Sequence, residues 1–455
     1  MVFYKFLMKG ILDMEDKIYL SDIAGYEEEK AEAKKIIEVL KNHEKYEKKG
    51  AYIPKGLILS GNPGVGKTML AKAIASESGV PFFEYESNES ETEAATIKSI
   101  KELFKKAREN PPAIIFIDEL DELVMTNDFT SDYSRKTTKI LLTEIDGISS
   151  SDGILVIATT NHRPILPPSL MRSGRMDKRI TIDMPDTIDR EEIFKLYLSK
   201  NELLNDIDAH QLALKTPNFC GADIKTLVNE TIIDCTSQGI NKITLIDFER
   251  NIPVVRFQDI RKRNKYGPDD LTCYHEIGHF IAEYKTSGIV TSISTEKFGR
   301  ITGHILFEEE TIEFERVSKN TLKKKLITML GGLAGEEVMC SDMTTGAVDD
   351  VNKARTAISH LMNVGAFGFD KLPPNRASGG FAADTTPTSE KRLEVTERLE
   401  TELLNEAFEN AKALIQSNMN LAKTLYNELK EKEKLSKREV EEILNRFNNN
   451  EHVSA

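Results

Sequence analysis

The 455-residue chain reads as a parallel α/β domain, then a small all-helical domain, then a mainly helical second half with its own core. Three observations predict this. Between Gly56 and Pro185, short β-rich apolar runs (Leu57 to Leu59, Ile114 to Ile117, Ile154 to Ile157, Ile180 to Ile182) alternate with longer helical stretches, the pattern of a parallel sheet covered by helices. From Asp189 to Phe248 the apolar positions keep helical spacing, with turns at Thr216-Pro217-Asn218 and Gly221 and no clear strand. Past the basic, polar stretch Arg261 to Pro268 the pattern is mostly helical. That half carries one β-rich patch from Ile289 to Phe307, a Gly/Pro/Thr-rich loop around Pro373 to Pro387, and a long charged helical tail to about Phe447. At about 150 residues per domain, the length leaves room for two or three cores.

Composition narrows the classes. A hydrophobic fraction of 40% and a charged fraction of 30% fit a globular chain rather than a disordered or fibrous one. The net charge of −13 makes an acidic surface that repels nucleic-acid backbones and anionic lipid, so no nucleic-acid partner is expected. Cys220, Cys235, Cys273 and Cys340 are scattered, with no C-x-x-C pair, and read as reduced buried thiols of a cytoplasmic protein. No stretch approaches the ~18 uncharged apolar residues of a spanning helix, so the chain is expected not to cross a membrane by itself. The opening Met1 to Leu12 fits either a weak membrane-surface or adaptor-binding segment or, the favoured reading, a frayed tail or first helix.

The run Gly61, Asn62, Pro63, Gly64, Val65, Gly66, Lys67, Thr68 fits G-x-x-x-x-G-K-[ST] between a strand, Leu57 to Leu59, and a helix, Met69 to Ser76. Glycines let successive N–H groups turn inward around phosphate oxygens, Lys67 reaches the outer phosphates and the Thr68 hydroxyl suits magnesium. About fifty residues on, the strand Ile114 to Ile117 ends in Asp118-Glu119. There the first acid suits magnesium and the second an attacking water, so ATP with magnesium and hydrolysis are expected. A third strand ends in Asn161, an amide placed to sense the γ-phosphate.

Asp146-Gly147, Asn161, the run Ser169 to Asp177 and Gly221-Ala222-Asp223 resemble the landmarks of AAA+ ATPases. The resemblance implies that Arg172 and Arg175 are fingers reaching a neighbouring subunit's nucleotide, hence a ring, a homo-hexamer. The bland alternative for both arginines is surface salt bridging. It further implies that Ile23-Ala24-Gly25 and Gly221-Ala222 border the adenine, with Ala24, Gly221 and Ala222 as the binding residues.

Cys273 to His279 contains H-E-x-x-H in a helical run beginning near Asp269. Spacing of four puts His275 and His279 on one helix face, where two neutral imidazoles can bind one zinc, and Glu276 on the adjoining face, where it can act as proton acceptor and donor. A catalytic zinc takes a third protein ligand, and the remaining histidines show no pairing, so a carboxylate is expected. Asp349 and Asp350 open a helix after a Gly turn; Glu336 and Glu337 follow Gly331-Gly332 on another.

With the H-E-x-x-H, this second half resembles the peptidase domain of the FtsH family, and the resemblance to FtsH-type proteases runs from about Leu20 to Leu444. It implies Asp350 as the third zinc ligand, one zinc per subunit, and polypeptide substrates translocated through an AAA+ ring and hydrolysed for quality control or turnover. The alternative is an ATP-driven remodeller with a vestigial or regulatory peptidase domain. The full expectation is an α/β AAA+ P-loop domain with a small helical lid, then a mainly α-helical zinc-peptidase domain. Its boundaries are a tail at 1–20, the nucleotide-binding domain at 21–188, the lid at 189–255, a linker at 256–268, the peptidase at 269–447 and a tail at 448–455. Two departures stand out. The family usually carries N-terminal transmembrane helices that this sequence lacks, and where it has an aromatic-Val-Gly pore motif this chain reads Glu89, Ser90, Glu91, Thr92, Glu93, Ala94, Ala95. Arg300 to Phe307 matches the edge strand that would pair with an extended substrate, the alternative being an ordinary internal strand. Pro81-Phe82-Phe83 reads as the start of a buried strand, the alternative being that Phe82, Phe83 or Tyr85 supplies the pore aromatic under a shifted alignment.

Overall fold

The computed structural model describes residues 17–50, 54–85, 92–124, 132–149, 153–161, 166–204, 206–240, 242–258, 261–262, 269–298, 301–306, 318–363 and 390–453. Met1 to Leu12, Glu89 to Glu91 and the loop around Pro373 to Pro387 lie outside these. The chain divides into two compact units, 1–248 and 249–455.

The first unit is built on five parallel strands: β1 Gly56–Ser60, β2 Phe82–Tyr85, β3 Ala113–Ile117, β4 Ile154–Thr160 and β5 Lys178–Thr181, in the order β2-β3-β4-β1-β5. The four apolar runs singled out in the sequence fall on β1, β3, β4 and β5, and the Pro81-Phe82-Phe83 segment does open a strand. β1, β3 and β4 are buried along their whole length, because helices cover both faces and leave no polar side to alternate with. Ile58, Ile115, Ile117 and Val156 of the sheet meet Phe104 of the helix Glu93–Glu109 and Leu141 and Ile145 of the helix Asp132–Asp146 in one core. Parallel pairing brings the carboxyl ends of β1, β3 and β4 out at one edge, and these ends carry the phosphate loop, Asp118-Glu119 and Asn161.

Among the described residues of this unit, only helices follow β5. Asp186 caps the helix Thr187–Leu198 by accepting the Asp189 N–H at 2.8 Å, and Asp208 caps Ala209–Lys215 through the His210 and Gln211 N–H groups. The helix Gly221–Ser237 completes this small layer.

The second unit is mainly helical. The helix Asp270–Ser287 is capped by Asp269, whose carboxylate accepts the Thr272 N–H at 3.4 Å. Around it stand the helices Lys319–Met329, Gly331–Cys340, Val348–Asn363, Glu390–Ser417, Met419–Lys432 and Lys437–Val453. Cys273, Ile277, Phe280 and Ile281 meet Ala334, Ile415, Leu425 and Ile443 in a fully buried cluster. The β-rich patch becomes β7 Ser292–Phe298 and β8 Ile301–Leu306, antiparallel. Two pieces were not anticipated: Arg261–Lys262, within the stretch read as a linker, forms β6, and Lys434–Leu435, within the helical tail, forms β9. Both pair with β7. Two-residue strands have no periodicity to read. The tail breaks there because Glu433 takes φ +60 and its carbonyl accepts the Thr295 N–H at 2.9 Å. Among the described residues no helix is long and apolar enough to cross a membrane.

Candidate functional site

The phosphate loop runs from β1 to the helix Lys67–Ser78. Gly64 has φ +80 and Gly66 φ +102, a conformation glycine adopts without strain and one that turns successive N–H groups to the same side. Gly64 is also where the helical layer reaches the loop: a Cβ there would lie 2.5 Å from Cys220 Sγ and 3.1 Å from Ala222 Cβ, and the Ala222 N–H donates to the Gly64 carbonyl at 3.2 Å. Gly221 and Ala222 are thus brought against the loop. Ala24 is half-buried beside a joint in which the Tyr26 N–H donates to Asp189 at 2.8 Å.

Lys67 is buried, and its ammonium donates to the carbonyls of Gly61 (2.9 Å) and Asn62 (2.8 Å) and to Asn161 Oδ1 (2.7 Å). The amide expected near the γ-phosphate is therefore one hydrogen bond from Lys67, the residue expected to reach the outer phosphates. Burial pushes Lys67 below its ordinary range, while Asp118, Asp121 and Glu119 pull the other way. The Thr68 hydroxyl donates to Asp118 at 3.2 Å, so hydroxyl and carboxylate stand together as a magnesium-binding pair requires. Glu119 is exposed, with φ +50. Partial desolvation, then Glu122, Asp118 and Asp121, raise its pKa.

The two arginines part company. Arg175 forks onto Asp146 with two bonds of 2.7 Å and also donates to the Ser169 carbonyl at 2.6 Å, the salt-bridge alternative for that residue. The hydrogen bond from Arg175 holds the Asp146 carboxyl below its usual range. Arg172 is exposed.

In the second unit, His275, His279 and Asp350 converge, their ligand atoms all within 4.8 Å of one another. The two Nε2 atoms are 3.0 Å apart, and Asp350 Oδ2 lies 3.2 Å from His275 Nε2 and 3.3 Å from His279 Nε2. Asp350 reaches them from the first turn of the helix Val348–Asn363. Burial opposes its charge, but hydrogen bonds from His275 and His279 hold its carboxyl far below the usual range. His275 is pushed up to about 10: burial favours the neutral ring, and bonds to Asp350 and Glu336 outweigh it. Glu276, at 4% exposure, is raised to about 7 by burial, with His279 and His275 pulling it back.

Each imidazole is also held from behind. His275 Nδ1 pairs with Glu336 Oε1 at 2.7 Å, and His279 Nδ1 with the Thr328 carbonyl at 2.7 Å. These bonds hold a proton on each Nδ1, so that a ring which gives up its Nε2 proton turns a lone pair inward, the arrangement a metal needs. Glu336, a rival ligand on sequence grounds, therefore stands on the far side of the His275 ring, and its second oxygen accepts the Thr344 N–H at 2.7 Å. Glu337 is bound to Lys412 at 3.0 Å, and Asp349 is exposed.

The approach of Glu336 to His275 depends on glycines. A Cβ at Gly278 would lie 2.1 Å from the Gly331 carbonyl oxygen, and one at Gly335 would lie 2.3 Å from that of Tyr274. The helix Gly331–Cys340 therefore crosses the H-E-x-x-H helix backbone to backbone. A Cβ at Gly332 would stand 2.5 Å from the Nε2 atoms of both histidines. Gly331-Gly332 carries no sign of this crossing by itself; Gly278 inside the H-E-x-x-H is the available sequence signal. Zinc fits this donor set: two neutral imidazole nitrogens and a carboxylate are the three protein ligands of many catalytic sites.

Three family matches cover the chain: the AAA family (ATPase family associated with various cellular activities) at residues 57–184, the AAA+ lid domain at 206–250 and peptidase family M41 at 264–443. Among curated relatives, the ATP-dependent zinc metalloprotease FtsH of Caldicellulosiruptor bescii is 33% identical over 98% of this chain and 75% of its own length. That of Acholeplasma laidlawii is 34% identical over 94% of this chain and 69% of its own. A chloroplastic member from Arabidopsis thaliana is 33% identical over 94% of this chain and 65% of its own. With an AAA module, its lid and an M41 peptidase in one polypeptide, and with the nucleotide and metal constellations both formed, the chain belongs to the FtsH family of ATP-dependent zinc metalloproteases.

Proposed function

We propose that this chain assembles into a homo-hexameric ring that moves polypeptides by ATP hydrolysis and cuts them at the centre formed by His275, His279 and Asp350. The observation that carries this reading is the convergence of those three residues beside the buried Glu276, in a chain that also holds Lys67, Thr68 and Asp118 together. Zinc, when bound, supplies a Lewis acid that polarises the scissile carbonyl and lowers the pKa of water. Glu276 accepts a proton from the attacking water and returns it to the leaving amine; a carboxyl raised to about 7 suits both halves of that exchange. Glu336 and the Thr328 carbonyl hold the rings and take no part in the proton transfer.

At the nucleotide site the N–H groups of the loop from Gly61 to Gly66 and the Lys67 ammonium bind phosphate, Thr68 and Asp118 hold magnesium, and Glu119 orients and activates the attacking water. Asn161 senses the γ-phosphate, while Ala24, Gly221 and Ala222 border the adenine. Arg172, exposed in one subunit, reaches the nucleotide of the next. Arg175 takes the same role once it leaves Asp146 on assembly.

The translocating loop differs from its relatives' expected aromatic. Thr92 stands exposed before the helix Glu93–Glu109, and Glu89, Ser90 and Glu91 lie outside the described residues. A threonine flanked by acids offers little area to grip, so unfolded or basic polypeptides are degraded well and stably folded domains poorly. The test is one assay on the full chain: zinc content, and cleavage of a disordered polypeptide with and without ATP, for the wild type, Glu276→Gln and Glu119→Gln. Zinc-loaded wild type that cleaves nothing in ATP, while hydrolysing ATP normally, would sink the proteolytic reading and leave a remodeller.

A further inference from the structure

Thr159 lies on β4 one residue past the registered pair Ile117–Ala158, level with the point where Asp118 and Glu119 leave β3. It is 1% exposed, so its hydroxyl must find partners within the protein. Both partners are acidic residues of the nucleotide site. Thr159 Oγ1 donates to Asp118 Oδ1 and accepts the Glu119 N–H at 2.9 Å.

Two features make this more than a satisfied strand threonine. Glu119 has φ +50, a left-handed backbone that is costly for a residue with a Cβ and persists only where its surroundings hold it. The N–H carried by that turned backbone is the one Thr159 accepts. At the other end, the bond to Oδ1 leaves Oδ2 as the Asp118 oxygen nearer the Thr68 hydroxyl, 3.2 Å against 3.4 Å. One hydroxyl thus constrains the rotamer of the magnesium-side acid and the backbone that aims the water-side acid.

We propose that Thr159 is a positioning residue for ATP hydrolysis, fixing Asp118 and Glu119 relative to each other through its hydroxyl. The proposal rests on the reading of Glu119 as the water-activating carboxylate. The Thr159 hydroxyl is engaged by the two acids, and it acts through them. Losing it therefore lowers turnover and raises the magnesium requirement, while the loop and lysine contacts that bind ATP stay in place.

The experiment is steady-state ATPase of the full chain for the wild type, Thr159→Val, Thr159→Ser and Glu119→Gln, with magnesium titrated at saturating ATP. Valine keeps the shape and removes both bonds. The half-buried Asp118 carboxylate and the Glu119 N–H then both lose the hydroxyl that ties them together, and kcat is expected to fall about 10- to 100-fold with KM for ATP within about twofold. The magnesium concentration for half-maximal turnover rises. Serine keeps the hydroxyl and recovers most of the loss. If valine does not fold, Thr159→Ala is compared with serine in the same way. Valine turnover within about twofold of wild type, alongside an inactive Glu119→Gln, overturns the proposal. So does a serine variant as slow as valine, which would show that the methyl group matters and the hydroxyl does not. Normal turnover in Glu119→Gln would remove the reading beneath it, and the role of Thr159 with it.

Discussion

Around His275 and His279 the inward-facing nitrogens have their far sides tied within one unit, to Glu336 and to the Thr328 carbonyl, and Glu336 is tied in turn to Thr344. Around Lys67 the groups hold one another: the lysine bonds Asn161 and its own loop, and Asp118 bonds Thr68 and Thr159. The arginines expected to complete that site point elsewhere, Arg172 into solvent and Arg175 onto Asp146. The three candidate metal ligands all come from one chain. The nucleotide site is complete up to the groups a neighbour is proposed to lend, so only the second should respond to the state of assembly.

The hardest test of that contrast is to break the metal centre without touching ATPase. Glu276→Gln is expected to cut peptide cleavage by about 10²- to 10⁴-fold with zinc retained and ATPase intact, because a general base can be lost without emptying the site. Asp350→Ala loses zinc as well. Metal analysis of the two purified variants separates base from ligand. A zinc-replete Asp350→Ala that still cleaves would pass the ligand role to another acid, such as Asp349.

A smaller loss follows from the groups behind the rings. Glu336→Gln keeps the volume and a hydrogen-bonding oxygen but removes the charge that makes His275 a stronger donor, and zinc affinity is expected to weaken about 10- to 100-fold. Competition with a chromophoric chelator reads this directly. Glu337→Gln, whose partner is Lys412 and not a histidine, is the control and should leave zinc affinity where it was. Equal losses in both would mean that general acidity, and not the 2.7 Å bond to Nδ1, sets the affinity.

Proton competition offers a graded version. In the metal-free protein His275 is held protonated up to about pH 10 by Asp350 and Glu336. A raised histidine pKa stabilises the fold fully below the unfolded value of about 6.5 and loses that contribution as pH rises towards 10. Zinc needs the neutral ring, so it must displace this proton, and its apparent affinity is expected to rise about tenfold per pH unit as pH climbs towards about 10 and to level off above it. Zinc titrations at three pH values check the slope. A flat profile would show that no proton leaves His275 on binding.

Legibility in the sequence divides along the same line. The phosphate loop, Asp118-Glu119 and the H-E-x-x-H were readable because each is a short run whose spacing maps onto one loop or one helix face. β1, β3 and β4 showed as unbroken apolar runs, since burial on both faces removes polar interruptions, and the mostly exposed β5 showed through Ile180 and Ile182 about Thr181. What escaped depends on two elements meeting. From the residues alone Glu336 and Asp350 stay open as candidate acids, and only the resemblance to FtsH-type proteases favours Asp350, because nothing in either helix tells which side of an imidazole it will approach. For Glu336 the side is set by the backbone crossing at Gly278, Gly331 and Gly335, which needs glycines far apart in sequence to face each other, while Asp350 comes from the first turn of another helix. Thr159 passed as a strand residue for the same reason: its partners are about forty positions away. The strands β6 and β9 are two residues each and carry no pattern of their own.

The smallest expected effect concerns Arg175, and it bears most directly on whether the nucleotide site borrows from a neighbour. Its fork onto Asp146 is well formed, yet half of the Asp146 side chain is exposed, and pairs in that setting contribute little to stability once solvent screens them. Asp146→Asn should therefore leave the melting temperature of the isolated subunit unchanged within error. If Arg175 must exchange Asp146 for a neighbour's nucleotide on assembly, freeing it in advance removes a competitor, and ATPase per assembled ring should rise slightly or stay level. If the pair is needed to hold the loop from Ser169 to Asp177 in shape, ATPase should fall, and Arg175→Ala should fall equally, since either change removes the same bond. A drop in Arg175→Ala alone marks a finger. Mixing that variant with subunits carrying Lys67→Ala then places the finger: sites that bind no nucleotide but keep Arg175 can lend it only to the next subunit. Partial recovery of ATPase in the mixture requires Arg175 to act across the subunit boundary, and no recovery at any ratio would return it to the single-chain role that its bond to Asp146 describes.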